Sequence, residues 1–178
     1  MNKKLKLEEL GRLGPEEYKI AHKQEIEVVL DQVRSGHNVG SVFRTSDALR
    51  VRKIHLCGYT PTPPNREIQK TALGATDSVE WEHWDSTIDC LNHLRSRQMK
   101  IWAIEQTAQS TPIHKLTESC KNVAIVLGNE VKGVSQEVVD FADKCVEIPQ
   151  FGTKHSLNVS VCTGIVLWDL CLRNGLLE

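Results

Sequence analysis

The chain has 178 residues, of which 40% are hydrophobic and 25% are charged, and its formal net charge is −1. This length and balance predict one globular domain with a sizeable core, and the near-neutral charge gives no general indication of a nucleic-acid partner. No apolar run approaches the roughly 20 residues that a membrane span needs. The charged start of the chain does not resemble a signal peptide, so we expect a cytoplasmic protein without membrane contact.

The predicted elements begin with a charged segment, residues 1–24, that carries leucines at helical spacing. Gly14 and Pro15 interrupt the pattern, so one or two short helices are predicted between residues 6 and 22. We expect this N-terminal helical extension to pack on the core, although pairing with a partner chain is an alternative.

From residue 25 onward, β-branched runs alternate with amphipathic stretches. Strands are predicted at residues 26–33, 53–59, 79–84, 101–105, 123–127 and 145–148. One helix is predicted to follow Asn38, which would be its N-cap. A second helix is predicted to end at Leu73, with Gly74 as its stop. Further helices are predicted at residues 85–97, 136–142 and 157–173. This alternation predicts one α/β domain, residues 25–178, with a mostly parallel sheet flanked by helices and any ligand beyond the carboxyl ends of the strands.

The six cysteines give no indication of a metal site. They are widely spaced, and neither a C-x-x-C pair nor zinc-finger spacing occurs. Several lie within apolar runs, where cysteine behaves as a small buried hydrophobic residue. We therefore predict reduced core thiols and no metal ion.

Two glycine-bearing loops follow late strands of the predicted sheet. Gly128 and Gly133 follow the strand at 123–127, and Gly152 follows the strand at 145–148. Glycine lets a backbone approach a ligand closely, although ordinary turn glycines have the same spacing. Neither a G-x-G-x-x-G sequence after the first strand nor a Walker A sequence occurs, so a nucleotide-dependent oxidoreductase would lack its phosphate-binding fingerprint.

Three segments carry a more specific pattern. They are NVGSVFR at residues 38–44, VLGNEVKGV at residues 126–134 and IPQFGTKHSLNVSV at residues 148–161. In this order and spacing they resemble the three motifs of the SpoU/TrmH family of RNA 2′-O-ribose methyltransferases, within the SPOUT superfamily. The resemblance covers about residues 25–172, and Gln150 departs from it where the family often has methionine.

The resemblance implies features that periodicity alone does not predict. Members of the family thread the C-terminal segment through a loop to form a deep trefoil knot, which is rare among protein folds, and bind S-adenosylmethionine (AdoMet) there. They are also homodimers whose substrate site lies near the subunit interface. On this resemblance, the cofactor-binding residues are Gln106, Thr107, Leu127, Gly128, Ile148, Gly152 and Leu157.

The same resemblance assigns catalytic residues, each of which also has a structural interpretation. Arg44 is the first candidate, as a general base or as a cation beside the reacting oxygen; otherwise it is a surface arginine. Whether it acts in its own subunit or across the dimer stays open. Asn38, Ser156 and Asn158 are active-site residues or helix caps. Glu130 orients Arg44 or the ribose, or it favours a helix dipole.

We therefore predict an AdoMet-dependent enzyme that methylates a ribose 2′-OH of tRNA or rRNA. We favour tRNA, because the sequence shows no separate RNA-binding domain and a small dimer can grip a compact RNA. Candidate RNA contacts are residues 1–24 and the basic side chains between Arg34 and Lys53. The alternative is a non-catalytic RNA-binding or ribosome-assembly factor on the same fold, against which the intact Arg44, Glu130 and Asn158 argue.

Overall fold

Helices and strands alternate along the computed structural model, which describes residues 2–176 of the chain. The strands are β1 (Gln24–Asp31), β2 (Val51–Cys57), β3 (Glu80–Trp84), β4 (Lys100–Ile104), β5 (Thr111–Pro112), β6 (Val123–Leu127) and β7 (Lys144–Glu147). The helices are α1 (Pro15–Ile20), α2 (Gly36–Ala48), α3 (Arg66–Ala72), α4 (Ala75–Ser78), α5 (Thr87–Ser96), α6 (Gln136–Phe141) and α7 (Val159–Arg173). Short 3-10 turns lie at Leu7–Leu10 and Ile113–Lys115.

The seven strands form one sheet in the order β3-β2-β1-β6-β4-β7-β5, and every neighbouring pair is parallel. This confirms the predicted α/β class and its parallel sheet. β6 is inserted between β1 and β4, so that Ile125 pairs with Val28 on one side and with Trp102 on the other. The carboxyl ends of β4, β6 and β7 therefore meet at one edge of the sheet.

Apolar side chains cover both faces of this sheet. On β1, Ile26, Val28 and Leu30 belong to a buried cluster with residues of α2 and α7, whereas Val29 belongs to a second cluster with residues of α5 and α6. Successive strand side chains point to opposite faces, so the two clusters lie on opposite sides of the sheet. Parallel strands buried on both faces read as nearly continuous apolar runs, and for this reason the central strands were predictable from the sequence.

The start of α2 differs from the prediction. Ser35 is the N-cap, and its hydroxyl oxygen accepts a hydrogen bond from the backbone N–H of Asn38 at 3.3 Å. The prediction that Asn38 caps the helix was therefore wrong, because the helix begins at Gly36 and Asn38 lies inside its first turn. This leaves the Asn38 side chain available for contacts with other parts of the chain.

Two other differences are local. β5 and α4 were not predicted, because elements of two and four residues are too short to show a period. α3 ends at Ala72, and both Leu73 (φ 50°) and Gly74 (φ 90°) have left-handed backbone. Gly74 therefore follows the end of α3 as predicted, but it leads directly into α4.

The N-terminal extension forms a 3-10 turn and α1 within the predicted range of residues 6–22. Tyr18 of α1 is buried in the same core cluster as α2 and α7. The Nζ atom of Lys23 lies 3.0 Å from the centroid of the Tyr18 ring. α1 therefore packs on the domain through Tyr18, whereas residues 2–6 and 8–13 are exposed.

All six cysteines are free, and four of them are buried. No helix within residues 2–176 is both long and apolar enough to cross a membrane. Over the same residues, no three His, Cys, Asp or Glu side chains come together in a way that would hold a metal ion.

Candidate active site

A cleft of about 1160 Å³ lies beyond the carboxyl ends of β4, β6 and β7. Its wall is formed mainly by residues 105–109 after β4, residues 128–134 after β6, and parts of the segment 148–158 between β7 and α7. Parallel α/β sheets hold their ligands at this position. The volume is sufficient for a small-molecule cofactor.

Six of the seven residues predicted to bind a cofactor line this cleft: Gln106, Thr107, Leu127, Gly128, Ile148 and Leu157. Gln106 also joins two parts of the wall, since its Nε2 atom donates to the backbone oxygen of His155 at 3.1 Å. Gly152 does not line the cleft. It lies in an exposed stretch, and a Cβ atom at this position would meet no other atom within 4 Å.

Gly128 lies where two stretches of backbone approach most closely. A Cβ atom at this position would overlap the backbone of Gly133 and Val134, so only glycine fits. The loop is held from the other side by Glu105, whose carboxylate accepts from Val134 N at 2.9 Å and from Gln106 N at 2.8 Å. The shape of the cleft thus depends on this close approach.

Glu130 fixes the start of α2. Its Oε2 atom accepts from Arg34 N at 2.9 Å, and its Oε1 atom accepts from Ser35 N at 3.0 Å and from Asn38 Nδ2 at 2.9 Å. These partners are at least 92 positions away in the sequence. The second sequence motif is therefore anchored directly on the first.

The same hydrogen bonds keep the Glu130 carboxyl group ionised. Burial raises its pKa, but the hydrogen bonds from Arg34, Asn38 and Ser35 outweigh burial and lower the pKa below its usual value. A carboxylate whose two oxygen atoms are occupied in this way is suited to positioning its neighbours rather than to accepting a proton.

Asn158 joins the third motif to the same cluster. Its Nδ2 atom donates to Asn38 Oδ1 at 3.1 Å, while its Oδ1 atom accepts from Ser160 N at 2.9 Å and caps α7. Asn158 is thus a helix cap, as one of its two predicted roles required, and it also contacts another candidate site residue. A chain of hydrogen bonds from Glu130 through Asn38 to Asn158 connects all three motifs.

Arg44 and Ser156 lie outside this chain of hydrogen bonds. Arg44 is six residues beyond Asn38 on α2, which is about 9 Å along the helix axis and on a different face. It is exposed, and within residues 2–176 its side chain forms no ion pair or hydrogen bond, either with Glu130 or with any other residue. Ser156 lines the cleft, but over the same residues its hydroxyl group has no hydrogen-bond partner.

Three polar residues that shape the site were not predicted from the sequence: Asp31, Glu105 and Asn129. Asp31 is buried at the end of β1 and accepts from Ser135 N, at the start of α6, at 3.0 Å. The Oδ1 atom of Asn129 accepts from Val131 N at 2.9 Å and stabilises the loop after β6. Each of the three lies at or just after the carboxyl end of a strand, and this position was the signal that could have identified them.

The sheet and the cleft at its carboxyl edge define a ligand-binding α/β domain in which three sequence motifs converge. The model of the SpoU rRNA Methylase family matches residues 25–168, and the chain belongs to this family. The membership agrees with the resemblance that the three motifs carry.

Curated relatives include enzymes that act on two classes of RNA. The chain is 34% identical over 143 residues to tRNA (guanosine(18)-2′-O)-methyltransferase of Aquifex aeolicus, covering 80% of this chain and 66% of that protein. It is 28% identical to the enzyme of the same name from Escherichia coli K12, covering 82% and 62%. It is also 28% identical to 23S rRNA (guanosine-2′-O-)-methyltransferase RlmB of Bordetella pertussis, covering 80% and 57%. The chain thus spans at most about two thirds of the length of these relatives.

Solved structures of relatives confirm the fold. The A. aeolicus TrmH/SpoU tRNA modifying enzyme is 29% identical, with a TM-score of 0.78 over 86% of this chain and 77% of that chain. The AdoMet-bound rRNA methyltransferase from Sinorhizobium meliloti is 30% identical, with a TM-score of 0.79 over 90% and 61%. The sheet and helices described above are therefore those of a TrmH-type domain.

Proposed function

We propose that this protein is an AdoMet-dependent RNA 2′-O-ribose methyltransferase. One observation carries the proposal: hydrogen bonds from Glu130 through Asn38 to Asn158 join three family motifs beside a single cleft. The names of the relatives support tRNA or rRNA as the substrate class. We favour tRNA, the substrate in the name of the 34% identical relative. We also propose a cytoplasmic location, where both classes of RNA occur.

The cleft has the chemical character that AdoMet requires. Leu127, Ile148 and Leu157 supply apolar surface suited to a purine ring, and Gly128 leaves backbone groups accessible. Gln106 and Thr107 add polar groups from the loop after β4. The S. meliloti relative was crystallised with AdoMet bound, as its name states. When bound, AdoMet supplies an electrophilic methyl group on a sulfonium sulfur.

The residues of this site orient the ribose and stabilise the negative charge that develops on its 2′-oxygen. Methyl transfer is an in-line displacement, so the 2′-oxygen must be aligned with the methyl group. Asn158 and Ser156 line the cleft and offer hydrogen bonds to the ribose, while Glu130 holds Asn38 in place. The proton released from the 2′-hydroxyl group passes to water. Arginine side chains stay protonated in proteins, so Arg44, which does not line the cleft in the described chain, acts as a cation that stabilises negative charge on the 2′-oxygen or holds the adjoining phosphate.

We further propose a homodimer built on α7. One face of this helix exposes four large apolar side chains, Val161, Ile165, Trp168 and Leu172. Their spacing of three or four residues places them on one stripe, and an exposed apolar stripe is typical of an interface. Because α7 packs against α2, a second copy on this stripe would lie close to the helix that carries Arg44. This arrangement supports a substrate site near the subunit interface.

Methyl-labelled AdoMet, incubated with purified protein and separate tRNA and rRNA pools from a strain that lacks the gene, tests the proposed activity. We expect label in a 2′-O-methylated nucleotide of the tRNA pool, located by nuclease digestion and mass spectrometry. Label in rRNA alone would support the activity and reject our preference for tRNA. AdoMet binding without transfer to either pool would exclude free tRNA and free rRNA as substrates. No AdoMet binding would contradict the proposed enzyme and leave the non-catalytic factor as the alternative.

A further inference from the structure

We propose that Tyr59 and Arg34 form a binding position for an unpaired nucleotide of the RNA, with a base stacked on the Tyr59 ring and a phosphate held by the Arg34 guanidinium. The inference rests on the proposed function, since it takes RNA as the substrate. Both residues lie outside the three sequence motifs and outside the wall of the cleft. They would therefore recognise a nucleotide adjoining the methylated one.

The Tyr59 ring is both exposed and fixed. It is 54% exposed, and among residues 2–176 only Phe151 and Trp168 are other large aromatic side chains with comparable exposure. Its Oη atom accepts from Asn129 Nδ2 at 3.1 Å, whereas Trp168 belongs to the α7 stripe. A ring that is already held loses little conformational entropy when a base stacks on it.

The backbone next to Tyr59 is also anchored. The buried hydroxyl group of Thr60 donates to Cys57 O at 2.7 Å and accepts from Val33 N at 3.0 Å. Tyr59 precedes Thr60, and Arg34 follows Val33. The hydrogen bond between Thr60 and Val33 therefore brings the loops of Tyr59 and Arg34 together.

Arg34 supplies a cation on the adjoining loop, next to Val33 in the sequence. Its side chain is exposed, and in the part of the chain that the structure describes its guanidinium has no ion pair or hydrogen bond. Its backbone N–H is fixed by Glu130 Oε2 at 2.9 Å. A guanidinium matches the geometry of a phosphate group. A cation for the backbone and an aromatic ring for the base are the two groups with which proteins hold single-stranded nucleic acid.

Both residues are tied to the loop that carries Glu130. Asn129, which holds the Tyr59 ring, directly precedes Glu130 in the sequence, and Glu130 binds the backbone of Arg34. Asn129 and Glu130 themselves line the cleft. A nucleotide bound by Tyr59 and Arg34 would thus lie beside the site of methylation, and stacking requires that it be unpaired.

Fluorescence anisotropy with an RNA stem-loop and a fully paired duplex of equal length tests this inference. The wild-type protein should prefer the stem-loop, and Tyr59→Ala should weaken stem-loop binding by about 5- to 150-fold while leaving duplex binding unchanged. Tyr59→Phe keeps the ring and loses only the hydroxyl group, so it should lose less affinity than Tyr59→Ala. Arg34→Ala should weaken stem-loop binding and reduce its dependence on salt.

Leu73→Ala is the matched control, because it removes another exposed apolar side chain that does not line the cleft. AdoMet binding by calorimetry and the thermal midpoint should be unchanged in Tyr59→Ala. Wild-type stem-loop affinity in Tyr59→Ala, in a protein that methylates RNA, would overturn this inference alone. Equal losses in Tyr59→Ala and Tyr59→Phe with a lower midpoint would also overturn it, by assigning Tyr59 a structural role. Absence of RNA binding by the wild-type protein would overturn the proposed function as well.

Discussion

At the scale of single residues, Gly128 sets the shape of the cleft, because its missing side chain lets the loop after β6 close on itself. Spacing alone did not distinguish it from an ordinary turn glycine. Gly152, which the family resemblance groups with it, has open space around its Cα atom. A side chain therefore cannot be accommodated at position 128, whereas position 152 has room for one.

Gly128→Ala should destabilise the protein and weaken AdoMet binding. The added methyl group would overlap the backbone of Gly133 and Val134, and overpacking of this kind costs about 1–3 kcal/mol. Urea unfolding and calorimetry with AdoMet measure the two effects. Gly152→Ala is the matched control, and we expect its stability to change by less than about 0.5 kcal/mol. Loss of AdoMet binding in Gly152→Ala would contradict the placement of Gly152 outside the cleft.

The sequence predicted the roles of residues that depend on local structure. It did not predict roles that depend on contacts between distant segments. Ser35 and Asn38 are both residue types that favour the N-cap position. Glu130, which accepts from the backbone of Ser35 and from the side chain of Asn38, helps to fix the helix start at the earlier residue. Local sequence around Asn38 contains no information about a carboxylate 92 positions away.

At the scale of elements, β1, β2 and α5 are joined by a buried ionic cluster around Glu27. This side chain is fully buried, with His55 Nε2 at 2.7 Å from its Oε2 atom and Arg97 Nη2 at 2.7 Å from its Oε1 atom. Burial alone would raise the pKa of Glu27, but the hydrogen bonds and charges of His55 and Arg97 outweigh it and lower the pKa to about 2. The ionised form therefore stabilises the contact between the sheet and α5.

This cluster predicts how stability changes in acid. Because the pKa of Glu27 falls from 4.5 in the unfolded chain to about 2 in the folded protein, its contribution is complete above pH 4.5 and is lost as the pH falls toward 2. The contribution is about 3 kcal/mol. Urea unfolding of wild type and Glu27→Gln should differ by this amount near neutrality and converge in acid. Glu80→Gln, at an exposed glutamate of β3, should show no such convergence, and a constant difference for Glu27→Gln would contradict the account.

Elements were predictable in proportion to their length and burial. The central strands and α7 have long apolar runs and were placed to within about two residues, which is the ordinary uncertainty of element ends. β5 has two residues and pairs only with β7 at the edge of the sheet, so its existence depends on a neighbour rather than on its own sequence.

At the scale of the whole molecule, the order of the strands is not contained in the local pattern. Alternation predicts parallel strands, whereas the insertion of β6 between β1 and β4 depends on pairings such as Val28 with Ile125. The deep knot that the family resemblance implies depends in the same way on how distant segments pass one another, and it stays a prediction.

The proposed dimer makes a prediction at the same scale. Trp168→Glu places a charge in the centre of the apolar stripe on α7 and should convert a dimer into a monomer in sedimentation velocity, because burying an unpaired carboxylate is costly. Ile20→Glu introduces the same charge at a residue of α1 that is 88% exposed and should leave the dimer intact. A wild-type monomer, or a dimer that persists in Trp168→Glu, would exclude α7 as the interface.

Single-turnover methyl transfer by Arg44→Ala, with saturating AdoMet and RNA, tests the proposed function most directly. Loss of a cation that stabilises charge in the transition state should lower the rate about 100-fold or more. AdoMet affinity should be unchanged, because Arg44 does not line the cleft. Arg66→Ala, at an exposed arginine of α3, should react at the wild-type rate. Transfer by Arg44→Ala at the wild-type rate, or no transfer by the wild-type protein, would contradict the assignment of this site.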